Sequence, residues 1–233
     1  MDLRCPPYTG LAAHRGGPLR FVWDDTRASK DFRGRSEWVL EAAARCSTRA
    51  QMVLCVGLYE WVMWRFADLH DDPAPMQVAE AAWLSTIDPR FIDFFELTRE
   101  DWRGPIRGPL WCAITWLRPA VAEGDDKPEE IDDALQYLTR LALHVLPDPA
   151  QLESWLRTVL PRLEALYPYA RDDPFQDLFA EEVARRRGPL VGRDVLDPRI
   201  AYTPAMAADW SVALQKQADP SRNPFLAVAP STS

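Results

Sequence analysis

The segment from Ser47 to His70 constrains the fold most, because apolar side chains cover nearly every side of the helix that it predicts. It contains one glycine, Gly57, and no proline, and its charged residues are scattered. A helix that is apolar nearly all the way round has to be surrounded by other elements. The segment therefore predicts the central helix of an all-α fold. Its large apolar residues are Met52, Val53, Leu54, Val56, Leu58, Tyr59, Trp61, Val62, Met63, Trp64, Phe66 and Leu69.

The remainder of the chain predicts further helices around this one. The clearest amphipathic segment runs from Pro128 to Leu146, and Asp148-Pro149 provides an N-cap and a first-position proline for the next helix. Such signals predict a single-domain multi-helix bundle of about seven to nine helices with extended N- and C-terminal arms. The predicted helices begin near residues 36, 47, 74, 89, 109, 128, 149, 174 and 204.

Proline and glycine divide the chain into three segments. Residues 1–35 are predicted to form an irregular arm, and residues 36–187 the helical core domain. Residues 188–233 are rich in proline and predict one short helix, opened by Thr203-Pro204. This tail keeps apolar anchors such as Trp210 and Phe225, which a disordered linker would lack, so we expect it to dock on the core.

Charge and cysteine usage limit the classes of partner. The formal net charge is −8, and phosphate binding needs a basic surface, so no nucleic acid partner is expected. The four cysteines form no C-x-x-C pair and lie mostly in apolar surroundings, which favours free thiols in a reducing compartment. Residues 1–10 carry no apolar stretch of a signal peptide. The uncharged apolar stretch at residues 50–59 is too short to cross a bilayer. We expect a cytoplasmic protein with no membrane partner.

One cluster of potential metal ligands lies at the C-terminal end of the predicted central helix, at Asp68, His70 and Asp72. Carboxylates beside an imidazole suit a divalent cation, and this pattern predicts, as an alternative function, a helical metal-dependent enzyme. The competing interpretation is a solvated helix end followed by an Asp-Pro turn. No nucleophile elbow, phosphate loop or dinucleotide fingerprint accompanies the cluster. The tryptophans of the apolar helices favour core packing over the alternative interpretation, which is that they line a ligand pocket.

An acidic run precedes and opens the helix that begins at Pro128. Acids at a helix N-terminus complement the helix dipole, so the run has a structural explanation. It also offers a recognition surface for a basic protein partner. We therefore expect a non-enzymatic acidic protein-binding protein without a cofactor, for example an immunity- or antitoxin-like inhibitor. The predicted partner-binding residues are Asp125, Asp126, Glu129, Glu130, Asp132 and Asp133.

Overall fold

The computed structural model describes residues 3–13, 16–32, 34–93, 95–170 and 179–227. These residues form eight α-helices, which confirms the predicted all-α fold. Six short 3₁₀ turns lie between and before them, including Pro7–Thr9, Ala28–Lys30 and Arg193–Leu196. The helices are α1 Glu37–Ala43, α2 Thr48–Phe66, α3 Ala74–Ser85, α4 Gly104–Glu123, α5 Pro128–Val145, α6 Pro149–Leu166, α7 Phe179–Arg187 and α8 Met206–Gln217.

Helix α2 lies at the centre, as its composition predicts. All of its residues except Gln51 are buried, and it contacts α3, α4, α5 and α7. Ser47 caps its first turn, accepting a hydrogen bond from the Ala50 N–H at 3.4 Å. The helix ends at Phe66, so the segment around His70 is a turn and not the last helical turn.

The helix predicted to begin at Pro109 starts earlier, at Gly104. Its first N–H is accepted by both carboxylate oxygens of Asp25 at 3.2 and 3.0 Å, and Gly104 has a φ of +87° that favours glycine. Trp23 Nε1 donates a hydrogen bond to Oδ1 of the same carboxylate at 2.7 Å. Because this cap comes from the N-terminal arm, the local sequence around Pro109 could not indicate it.

The prediction of a helix after Asp88-Pro89 is wrong beyond the first turn. Among the described residues from 89 to 97, Pro89–Phe91 alone is helical, as a 3₁₀ turn. Ile92 then forms an antiparallel bridge with Leu226, and the Ala227 N–H donates to the Phe91 carbonyl at 2.9 Å. Backbone pairing with a distant segment therefore replaces the intrahelical hydrogen bonds that the sequence pattern predicts.

The remaining helix boundaries differ from prediction by small amounts. Helix α8 begins at Met206, just after the predicted Thr203-Pro204 start. The predicted start near residue 174 lies outside the described residues, and α7 is described from Phe179. No helix among the described residues combines the length and apolarity needed to span a bilayer.

Both terminal segments contact the helical body where they are described. In the N-terminal arm, Arg65 Nη2 of α2 donates to the Pro18 carbonyl at 2.9 Å. In the tail, the Leu196 carbonyl accepts from Trp155 Nε1 of α6 at 2.8 Å, and Val195 and Leu196 are fully buried. Gly57 permits this approach, since a Cβ there would lie 2.6 Å from Leu196 Cδ1. The division into an arm, a core domain and a tail stays a prediction.

Candidate functional site

The acidic run divides into an inward and an outward part. Asp125 turns inward: its side chain is 12% exposed and its Oδ2 lies 3.1 Å from Arg187 Nε of α7. Burial raises the pKa of this carboxyl, opposed by the charges of Arg187 and Arg49. Glu130 is half-buried. The other four carboxylates are exposed and are called here the acidic surface: Asp126, Glu129, Asp132 and Asp133.

The carboxylates of the acidic surface form no ion pair among the described residues. Lys127, which follows Asp126 in the chain, forms its ion pair with Glu123 at the end of α4, and its charge also interacts with those of Glu130 and Glu129. Partial burial, followed by the charges of Asp133 and Glu129, raises the pKa of Asp132. The carboxylates therefore repel one another, and a positive charge brought from outside would relieve that repulsion.

A half-exposed aromatic pair lies beside the acidic surface. Tyr137 of α5 stacks on Trp116 of α4 with ring centroids 3.9 Å apart and planes 13° apart. Both residues are half-buried. Tyr137 follows Asp133 by four positions, so the two lie on the same face of α5. This face of α5 thus combines a flat aromatic contact with exposed negative charge.

The predicted metal ligands surround the turn after α2. Asp72 Oδ1 accepts from the Ala74 N–H, at the first residue of α3, at 3.0 Å, and its Oδ2 pairs with Arg107 Nη2 at 2.7 Å. His70 Nδ1 accepts the Asp72 N–H at 3.2 Å, and burial lowers the pKa of this imidazole. Asp68 is exposed. The contacts of Asp72 explain its position just before α3.

Within the described ranges, no group of three or more His, Cys, Asp or Glu side chains is arranged to hold a metal ion. The metal-dependent alternative therefore gains no geometric support and stays a prediction.

The tryptophans of the apolar helices differ in how deeply they are buried. Trp61 is 1% exposed and packs against Tyr8 and Trp155, with centroids 6.3 and 5.7 Å away. Trp111 is only half-buried, so the core contains fewer of the tryptophans than their apolar helices suggest.

A buried ion pair in α2 was not predicted from the sequence. Glu60 is fully buried and accepts hydrogen bonds from Trp83 Nε1 at 3.1 Å and from Arg193 Nη2 at 2.7 Å. Burial raises the pKa of Glu60, and Arg193 opposes this shift. The sequence did carry a signal for a buried ion pair, since a charge in a helix that is apolar all round has to find a partner. The sequence did not indicate that this partner is Arg193, in the tail.

Arg193 also faces a cleft of about 180 Å³ between the N-terminal segment, α3 and α8. Leu3, Trp83 and Trp210 line it together with Arg193. The Arg193 guanidinium is paired with Glu60, so the charge of Arg193 has a structural role at this cleft.

Comparisons of the chain with protein-family models, with curated proteins and with solved structures found no match.

Proposed function

We propose that this protein is a non-enzymatic protein-binding protein whose acidic surface meets a basic surface on its partner. The observation that carries the proposal is the set of four exposed carboxylates on α5 and its preceding turn, none of which forms an ion pair among the described residues. An inhibitor of the immunity or antitoxin type is one form of this function.

Electrostatics supports association with a basic partner. Burial and, after it, the charges of Asp133 and Glu129 raise the pKa of Asp132, and the repulsion among these charges is relieved when cationic side chains approach. The chain's net charge of −8 adds an attractive long-range field. Steering of this kind raises the association rate and weakens as salt shortens the range of the field.

The Trp116–Tyr137 stack adds an aromatic contact to the charges of the acidic surface. Aromatic side chains carry much of the binding energy in protein interfaces, and polar rims exclude water around them. Tyr137 lies on the same helix face as Asp133, which places an aromatic contact beside a charged rim. The expected interface therefore has α5 at its centre.

The test compares capture of partners from an extract of the native host. The bait variant Asp126→Lys/Asp133→Lys reverses two exposed charges of the acidic surface. The matched control Glu41→Lys/Glu153→Lys makes the same change in net charge on exposed positions of α1 and α6. Asp125 is left intact, because its reversal would break the partly buried pair with Arg187.

We expect the parent and the control to retain the same basic partner, and the surface variant to lose it. With the purified partner, the association rate should fall with added salt for the parent and depend less on salt for the surface variant. Tyr137→Ala should mainly accelerate dissociation. Equal capture by the surface variant and the control would contradict the proposal.

A further inference from the structure

A second cleft opens at the other end of α5, between its last turn and the N-terminal arm. Its volume is about 460 Å³, within the range of small-molecule binding sites. From Asp133 to His144 the helix rises by about 16 Å, so the cleft is separate from the acidic surface. Its lining residues are Arg20, Phe21, Val22, Arg27, Asp31 and His144.

The cleft has an excess of positive charge in an acidic protein. Arg27 pairs with Asp31 through Nε at 2.8 Å and Nη2 at 2.7 Å, which leaves its Nη1 without a bond to any described residue. Arg20 is exposed and forms no ion pair within the described ranges. The lining therefore provides two guanidinium groups and one carboxylate, the latter already engaged by Arg27.

His144 is held in a defined orientation at the wall of the cleft. Its Nε2 lies 2.9 Å from the Val22 carbonyl oxygen. A carbonyl only accepts, so Nε2 carries the proton in this contact. The ring is also packed against Phe21 and Phe32, with centroids 5.5 and 5.6 Å away. Its Nδ1 makes no hydrogen bond to a described residue.

An exposed apolar side chain adjoins these charges. Val22 is 81% exposed, the highest value among the large apolar residues described. A ligand with an apolar body beside its charged group would cover Val22 and gain the free energy of removing that surface from water.

We propose that this cleft binds a small organic oxyanion, with a carboxylate or phosphate group on an apolar body. Arg20 and the free Nη1 of Arg27 hold the oxyanion, because guanidinium groups match the geometry of both carboxylate and phosphate groups. Val22 and Phe21 contact the apolar body. This site is independent of the acidic surface and of the protein partner proposed for it.

The test follows the imidazole C2 proton of His144 by NMR in the full chain at constant pH. The chain has three histidines, and His144→Gln assigns the signal. The probes are phenyl phosphate, benzoate, inorganic phosphate and neutral benzyl alcohol. We expect saturable shifts with phenyl phosphate or benzoate, weaker binding of inorganic phosphate, and no binding of benzyl alcohol. The first two probes distinguish a phosphate ligand from a carboxylate ligand.

Matched variants separate the site from general charge effects. Arg20→Ala should weaken binding by about tenfold, since a charged hydrogen bond contributes at least that factor. Arg222→Ala, at an exposed position of the tail, is the control and should change nothing. Val22→Ser should weaken the binding of phenyl phosphate but not the binding of inorganic phosphate. The proposal is overturned if no probe saturates below about 10 mM, or if Arg20→Ala and Arg222→Ala behave alike.

Discussion

Arg193 Nη2 lies 2.7 Å from Glu60 Oε1, although 133 positions of sequence separate the two residues. The same Nη2 also donates to the Arg4 carbonyl at 3.0 Å. One guanidinium group thus connects the central helix with both the tail and the N-terminal segment. Because Glu60 is fully buried, its charge depends on this contact and on the Trp83 Nε1 hydrogen bond.

Removing the arginine alone should destabilise the protein strongly. We expect Arg193→Met to lower the free energy of unfolding by about 3–5 kcal/mol, because it leaves the Glu60 carboxylate buried without its cation. Glu60→Gln/Arg193→Met should recover part of that loss. Urea unfolding of the two single variants and the double variant measures the coupling. Strict additivity would show that the two residues do not stabilise each other.

Truncating the central tryptophan tests the core around α2. Trp61→Ala should cost about 3–5 kcal/mol, because it opens a cavity between Tyr8 and Trp155. Trp38→Ala is the control, since Trp38 is half-buried and contacts the exposed Arg157 instead. Thermal unfolding measures both variants. A melting temperature of Trp61→Ala within a couple of degrees of the parent would contradict the central position of α2.

The acidic surface should make stability depend on pH in a defined direction. The raised pKa of Asp132 means that its folded carboxyl binds a proton more tightly than the unfolded one. Its ionisation therefore lowers stability above the folded pKa and has no effect below the usual value of 3.8. Asp132→Asn should raise the free energy of unfolding by roughly a few tenths of a kcal/mol at neutral pH, given solvent screening.

That gain should disappear as the pH falls below the usual carboxyl pKa, because the parent carboxyl is then neutral in both states. Urea unfolding at pH 7 and at pH 3 measures the difference. Glu153→Gln, at an exposed position of α6, is the control. A gain of the same size at both pH values would reject the electrostatic explanation.

The described part of the tail should resist removal. Val195 and Leu196 are fully buried, and Arg162 of α6 donates to the Asp197 and Ile200 carbonyls at 2.7 and 2.6 Å. We expect limited trypsin digestion to leave residues 191–226 attached to the core, and deletion of residues 189–233 to cause aggregation. Mass spectrometry of the digest decides the point. A stable, soluble fragment ending near Arg187 would show that the tail does not stabilise the core.

The helical fold could be predicted from local patterns, because a helix forms its hydrogen bonds within a short segment. Helix α3 begins at Ala74, where the sequence predicts it, and α5 ends at Val145, one residue before the predicted end at Leu146. The predictions that were wrong involve distant partners. Gly104 starts its helix on a carboxylate of the arm, and Ile92 pairs with Leu226.

The sequence by itself determined the all-α class, the central position of α2 and the presence of an acidic run on α5, since these follow from periodicity and composition. Only the tertiary structure decided that Asp125 pairs with Arg187 while Asp126 and Asp133 stay exposed. It also joined Glu60 to Arg193, and His144 to the arm carrying Arg20. The physical reason is that burial and charge pairing depend on which distant segments meet, and helical periodicity carries no information about that.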